Sequence, residues 1–393
     1  MYTVQLYNSI STSGTDMFPA SDYAMSRDSA SPDVILVRSA NLHEMEFPAT
    51  LKAIARAGVG VNNIPVDACT ERGIAVFNTP GANANAVKEL VLASLLLSSR
   101  RIYQGIGWTQ SLAGRGDDVG PAVEKGKVQF EGPELKGKRL GVIGLGAIGV
   151  MVANDGIALG MEVMGYDKYL SVDSAWGLSR HVVKAASLEQ LLSRCDYITV
   201  HVPLSDETAG MISAREFGRM KPGVRIVNLA RGELVKNADL LSAIAREQVG
   251  CYVTDFPSDD LLGNDRIITI PHLGASTPES AENCVTMAVR QLRSFLEDGT
   301  VINSVNFPDC NFGAMQDTRF VIAHQNEPNM IGQITTQMAA ENLNITELLN
   351  HHRDTLGYTI IDVEGKIDVA VLGRIRAIDG VKTARIVERV VAR

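Results

Sequence analysis

Arg231 and His272 are the side chains whose placement points most directly to chemistry. Each comes within a residue or two of an apolar, strand-like run. Arg231 stands in Val227-Asn228-Leu229-Ala230-Arg231-Gly232, and His272 in Pro271-His272-Leu273-Gly274-Ala275-Ser276-Thr277. A guanidinium can hold a carboxylate bidentately and polarise a neighbouring carbonyl. A histidine titrates near neutrality and can take the proton of a hydroxyl whose carbon is losing a hydride. The structural alternatives are an arginine capping strand-end carbonyls and a histidine packed at a helix start. Asp255, Asp259 and Asp260 are the acids nearby in sequence. One of them can hydrogen-bond His272 and fix its tautomer. The alternative for the adjacent pair is a solvated turn.

A hydride needs an acceptor, and Lys138–Asp167 is built to hold one. Leu140–Ile143 reads as a buried strand, followed by Gly144-Leu145-Gly146-Ala147-Ile148-Gly149, a helical stretch Val150–Leu159, a second strand Glu162–Tyr166, and Asp167. In such a unit Gly144 permits the tight turn, Gly146 lets backbone N–H groups approach a pyrophosphate, and Gly149 allows close helix–strand packing. The helix N-terminus adds partial positive charge for the phosphates. Asp167, 18 residues past Gly149, can accept from both ribose hydroxyls and would repel a 2′-phosphate, which favours NAD. The alternative is a packing turn that binds nothing. His201, in Thr199-Val200-His201-Val202-Pro203, also ends a strand but reads as lining the adenine or ribose side rather than as a base.

Residues 138–272 alternate strands and helices: Leu140–Ile143, Glu162–Tyr166, His181–Val183, Tyr197–Val200, Val224–Leu229, Gly250–Thr254 and Ile267–Ile270 are the expected strands. Alternation of this kind means a doubly wound parallel sheet, with ligands beyond the carboxyl ends of its strands. That rule selects Asp167, His201, Arg231, Asp255 and His272. In residues 1–98 a smaller α/β unit is expected from Val4–Tyr7, Val34–Val37, Ala53–Ala57 and Ala75–Phe77, and the same rule selects Arg38, Ser39 and Asn78. Gly58-Val59-Gly60 can form an anion-binding nest there. Residues 99–136 read as a loop flanking the site with a helical remnant. Its Lys125 and Lys127 either flank the site or belong to a solvated linker. After the helix Pro278–Glu297 and the extended Val301–Pro308, a linker around Asp309–Asp317 leads to a tail. The tail reads as Phe320–His324 (strand), Met330–Glu341 (helix), Ile345–His351 and Tyr358–Val363 (strands), Ile367–Ala377 (helix) and Thr383–Val390 (strand). This βαββαβ order is ferredoxin-like.

At 393 residues the chain is too long for one core. Its net charge of −8 argues against nucleic acid as a partner. Five scattered cysteines without C-x-x-C spacing suit free, buried thiols in a reducing compartment, and no metal site is expected. No signal-peptide pattern follows Met1 and no apolar run reaches membrane-spanning length. The expectation is a cytoplasmic protein.

These residues resemble the D-isomer-specific 2-hydroxyacid dehydrogenase family over nearly the whole chain. The marks are RAGVGVNN (Arg56–Asn63), FNTPGAN (Phe77–Asn83), GVIGLGAIG (Gly141–Gly149), GYD (Gly165–Asp167), ITVHVPL (Ile198–Leu204), NLARGELV (Asn228–Val235), PHLGAST (Pro271–Thr277) and SVNFP (Ser304–Pro308). The resemblance implies a Rossmann-type cofactor domain (99–280), a flavodoxin-like substrate domain (1–98 with 281–310) and a C-terminal ACT domain (318–393). It places the carboxylate-binding arginine on Arg231 and the acid/base histidine on His272. NAD contacts fall on Gly144, Gly146, Ala147, Ile148, Gly149, Asp167, Val202, Leu229, Ala230, Asp255, Gly274 and Ala275, with Val59 facing the nicotinamide. Arg38 becomes a substrate arginine, with Ser39, Gly58, Gly60 and Asn78 beside it. In the tail, His324, Asn326 and Asn344 match serine-effector contacts. The implied substrate is small and phosphorylated, 3-phospho-D-glycerate, and the implied assembly is a homodimer or homotetramer.

The sequence departs from the family in four places. Asp260 stands where a glutamate usually partners the histidine, Asn62 replaces an aspartate, Ala147 replaces an arginine, and the tail carries Asn329 in place of a glycine. Two other readings remain. One is a reductase of hydroxypyruvate, glyoxylate or another D-2-hydroxyacid. The other is an NAD-sensing protein without turnover.

Overall fold

The computed structural model describes residues 1–8, 10–313, 315, 318–364, 367–368 and 370–388. They fall into two units, residues 1–82 with 281–393, and residues 83–280.

In the first unit, β1 (Tyr2–Leu6), β2 (Tyr23–Ser26), β3 (Val34–Val37), β4 (Ala53–Arg56) and β5 (Ala75–Phe77) form a parallel sheet in the order β2-β1-β3-β4-β5. That is the flavodoxin-like order. All four residues of β3 are buried, as a strand covered on both faces requires. β2 has no counterpart among the strands expected from the sequence. It is a short edge strand flanked by polar residues, and only Tyr23 in it is buried. The return segment adds to the opposite edge: Ser304 bridges Phe77, and Val305 N donates to Val76 O at 2.8 Å.

In the second unit, β6 (Arg139–Ile143), β7 (Glu162–Tyr166), β8 (Val183–Lys184), β9 (Tyr197–Val200), β10 (Val224–Asn228), β11 (Val249–Thr254) and β12 (Ile267–Thr269) form a parallel sheet in the order β12-β11-β10-β9-β6-β7-β8. β8 begins where the expected strand His181–Val183 ends, and both its residues are exposed at the sheet edge. The strand order reverses between β6 and β9, where a doubly wound sheet opens a crevice at its carboxyl edge. Two apolar layers cover its faces. One is built on Ile198, Ile226 and Tyr252, the other on Val142, Val227 and Val253. Helix Ala84–Ser99, expected to belong with residues 1–98, instead contributes Val87, Val91 and Leu95 to the second layer. The stretch expected as a loop, 99–136, holds helices at Ile102–Gln110 and Val119–Gly126. Neither buries a residue, so the pattern of apolar residues carries little signal there.

The tail forms an antiparallel sheet of β13 (Thr318–Gln325), β14 (Asn344–Arg353), β15 (Leu356–Glu364) and β16 (Val381–Glu388), in the order β14-β15-β13-β16. The ends of the expected linker and last strand, at Asp317 and Val390, lie outside the described residues. One face of the sheet packs on helices Met330–Ala340 and Ala370–Arg376 through Phe320, Ile322 and Ile361. The other face packs within the first unit. Val321, Ala323, Tyr358 and Ile360 share a core with Leu292, Phe295, Leu296 and Phe307. The long helix Pro278–Asp298 presents Cys284, Val285, Ala288, Val289, Leu292, Phe295 and Leu296 as one apolar stripe to that core.

The free carbonyls at the C-terminal end of this helix are taken up by the tail. Arg385 donates to Phe295 O and Leu296 O, Arg319 to Asp298 O at 2.9 Å, and Tyr358 Oη to Gly299 O at 2.7 Å. Cations near a helix C-terminus also complement its dipole.

All five cysteines are buried free thiols, and burial pushes Cys251 up to about 11. No helix among the described residues is long and apolar enough to cross a membrane.

Candidate active site

The glycine turn after β6 is shaped by close backbone approach. Gly144 has φ +88°, and a Cβ there would lie 2.8 Å from the His201 carbonyl. A Cβ on Gly149 would lie 1.9 Å from Gly144 O. A Cβ on Gly146 would meet nothing within 4 Å, so backbone N–H groups stay accessible on that side. Gly146 is the N-cap of helix Ala147–Ala158, and no side chain caps that end. Asp167 follows β7. Its Oδ2 accepts from Leu145 N at 2.6 Å and its Oδ1 from Tyr169 N at 2.7 Å, which fixes the carboxylate beside the turn. Lys168 is turned to Glu207 at 3.0 Å and lies over the Tyr169 ring. His201 bonds Thr199 Oγ1 through Nε2 at 2.9 Å. Burial pushes its pKa down to about 4, so it stays neutral behind the turn. Val202 is half-buried next to it.

The loop after β10 is organised by a residue that sequence reasoning passed over. Asn228 is fully buried at the strand end. Its Nδ2 donates to Arg231 O at 2.8 Å and its Oδ1 accepts from Ala230 N at 3.2 Å. An asparagine bonding its own loop is the signal that could have marked it. Leu229 is buried and Ala230 half-buried, while Arg231 is exposed. The Arg231 Nη1 donates to Ala230 O at 2.7 Å, and its guanidinium lies 5.9 Å from the centre of the Phe256 ring.

The loop after β11 brings the remaining groups together. Asp255 is wholly buried, and its Oδ2 accepts from Gly274 N at 3.2 Å. Its Oδ1 is buried without a partner among the described residues. Burial raises the Asp255 pKa, opposed by the Gly274 hydrogen bond and by the fields of His272 and Arg231. A Cβ on Gly274 would press to 3.2 Å from Asp255 Oδ2, and Ala275 beside it is half-buried. His272 is exposed, with its ring centre 4.7 Å from that of Phe256. Asp260 is committed elsewhere: its Oδ1 accepts from Ser258 Oγ at 2.6 Å and from Asn237 Nδ2 at 3.2 Å. The Ser258 bond, with help from Asn237, lowers its pKa. No hydrogen bond joins Asp260 to His272 among the described residues.

In the first unit, Arg38 and Ser39 are exposed at the end of β3. Asn8 Oδ1 accepts from Ser39 N and Ala40 N, and Arg56 donates to Arg38 O and Gly60 O. Asn78 Nδ2 holds Val59 O at 2.7 Å. A Cβ on Gly58 would lie 2.8 Å from Arg56 Nη1. Arg56 thus braces the whole Gly58–Gly60 turn, a role that its place inside a strand hid.

The family model described as D-isomer specific 2-hydroxyacid dehydrogenase, NAD binding domain, matches residues 92–274. The D-3-phosphoglycerate dehydrogenase of Escherichia coli K12 is 30% identical over 349 residues, covering 86% of this chain and 81% of that protein. The chain belongs to the D-isomer-specific 2-hydroxyacid dehydrogenase family. A second relative, the D-3-phosphoglycerate dehydrogenase of Methanocaldococcus jannaschii, is 35% identical over 81% of this chain and 59% of its own length. The chain spans about half to three fifths of the length of several curated relatives that it matches. Among solved structures, an NAD+-bound 3-phosphoglycerate dehydrogenase of Entamoeba histolytica aligns with TM-score 0.59 at 25% identity, over 78% of this chain and 98% of that one.

The family's cofactor, NAD, fits the residues present. The uncapped helix end and the open space over Gly146 suit a pyrophosphate, Asp167 suits a ribose diol, and the orphaned Asp255 Oδ1 suits an amide donor. Gly149→Ala tests the turn. With a methyl forced against Gly144 O, the variant is expected to lose about 1–3 kcal/mol of stability, as overpacking does, and most of its NADH affinity. Thermal melting and NADH fluorescence titration measure the two effects.

Proposed function

We propose that this protein oxidises 3-phospho-D-glycerate to 3-phosphohydroxypyruvate with NAD, the first step of serine synthesis. The observation that carries the reading is the convergence of Arg231 and His272 on Phe256 at the carboxyl edge of the second sheet. The phosphoglycerate dehydrogenase relatives supply the substrate class.

In this reading Arg231 holds the substrate carboxylate and polarises the oxygen at C2. His272 takes the hydroxyl proton there and, being exposed, passes it to water. When bound, NAD supplies the hydride acceptor. The Asp255 carboxyl lies within the field of His272 as that ring becomes cationic. Arg38, with Ser39 and the Gly58–Gly60 turn, is assigned to the phosphate. Of the two lysines, Lys127 pairs with Glu124, which leaves Lys125 as the better second candidate. Asp260 stays in the proposal as the acid in the usual glutamate position, and it must leave Ser258 and Asn237 to serve His272.

The tail is proposed to bind serine as an ACT domain. His324 is buried, with both ring nitrogens hydrogen-bonded, and burial lowers its pKa. His324 pairs opposite Gly357 and Asn344 opposite Glu364, so they lie seven residues apart along β15, roughly 23 Å. Asn326, exposed, follows two residues after His324. A serine touching all three side chains therefore needs two copies of the sheet, in keeping with a homodimer or homotetramer.

The test is NADH oxidation with 3-phosphohydroxypyruvate against hydroxypyruvate. A preference in kcat/KM of about a hundredfold or more is expected where polar groups are built for the missing phosphate. Equal use would move the protein to the hydroxypyruvate and glyoxylate reductases of the family.

A further inference from the structure

We propose that Phe256 is a positioning residue for His272 and Arg231, orienting both through its aromatic face; the inference rests on reading these two as the reacting pair. The imidazole carries no hydrogen bond at either ring nitrogen among the described residues. The nearest sequence candidate for that bond, Asp260, is held by Ser258 and Asn237. Asp255, another of the three candidate acids, has its Oδ2 on Gly274 N and reaches His272 through its field. The imidazole lies against the Phe256 ring, centre to centre 4.7 Å at an interplanar angle of 51°. The same ring has the Arg231 guanidinium 5.9 Å from its centre.

Phe256 is itself well held. It is half-buried, and its backbone N donates to Thr254 Oγ1 at 3.1 Å. The backbone of Gly232, next to Arg231, comes so close that a Cβ there would lie 3.2 Å from Phe256 Cβ. The base of the side chain is therefore anchored to the strand end by its backbone and to the arginine loop by its Cβ. An aromatic ring attracts cations through its face. It can thus accommodate Arg231 permanently and His272 in the moment when the imidazole holds the substrate proton. A leucine of similar bulk fills the space but offers neither a flat face nor a quadrupole.

The experiment compares Phe256→Leu, Phe256→Ala and Phe256→Tyr in the full chain. Kinetics are measured with 3-phosphohydroxypyruvate and NADH, and the His272 ring resonances, assigned with His272→Gln, are followed by NMR. Leu and Ala are expected to lower kcat by about ten- to a hundredfold, the scale of a misplaced reacting group, with KM for NADH little changed. Tyr is expected to restore most of kcat. The His272 resonances should shift in the Leu variant, where the neighbouring ring current is gone, and return toward wild type in the Tyr variant. Wild-type kcat in the Leu variant would overturn the proposal, as would a Tyr variant as slow as the Ala one, or His272 resonances indifferent to all three changes. If the wild-type protein turns over no 2-keto acid, the proposed reaction fails; the resonances still decide whether Phe256 orients the imidazole.

Discussion

Arg231→Ala is expected to lower kcat/KM for the keto acid by a factor of about 10² to 10³, the usual cost of removing a preorganised donor from a developing charge. The loss should fall on both kcat and KM, because in the proposed mechanism the same guanidinium holds the carboxylate and polarises the C2 oxygen. The fold should survive, since the side chain is exposed and its hydrogen bond is to its own loop. Asn228, not Arg231, shapes that loop. Arg231→Lys is expected to recover little, because an ammonium cannot form the planar fork. Steady-state kinetics with a far-ultraviolet dichroism control measures this. Near-normal turnover in the alanine variant would remove Arg231 from the mechanism.

The largest stability effect is expected in the tail. Arg319 and Asp362 are buried together, 0% and 2% exposed, with Nε to Oδ1 at 2.6 Å and Nη2 to Oδ2 at 2.8 Å. Breaking a buried pair by removing one partner leaves an uncompensated charge and costs about 3–5 kcal/mol. Asp362→Ala is expected to lose that much in urea denaturation. The double change Arg319→Met with Asp362→Leu should be milder, because neither charge then stays behind. It will still lose the Arg319 bond to Asp298 O. If the single variant melts like wild type, the ion pair is not buried as described.

Much of this architecture was legible in the sequence. The glycine turn, the second-unit strands and Asp167 follow from local rules: periodicity, the φ freedom of Gly144, and the strand-end position of acids. What escaped depends on partners distant in sequence. Asp260 could be counted into the glutamate's place, but its commitment to Asn237 arises 23 residues away and leaves no mark in spacing. Phe256 reads as one more apolar residue until the loops after β10, β11 and β12 are brought together. Arg56 looked like one more strand residue, because its targets, Arg38 O and Gly60 O, are backbone carbonyls of other segments. The tail is instructive in another way. Phe320-Val321-Ile322-Ala323 is apolar without alternation, which in a sheet means cover on both faces. The βαββαβ order named the helices on one face but not the first unit's helix on the other.

The capping of helix Pro278–Asp298 by Arg319, Tyr358 and Arg385 bears on how such a tail is acquired and exchanged. A sheet that merely hung from a linker could be shuffled between enzymes by recombination at Asp309–Asp317. Here the recipient's helix would finish on carbonyls stripped of these donors and on an uncovered Phe295–Leu296 surface, while Arg319, Tyr358 and Arg385 of the donated sheet would lose the helix-end carbonyls they grip. A working graft has to cross over upstream of the helix end, so the hereditary unit is larger than the topological one.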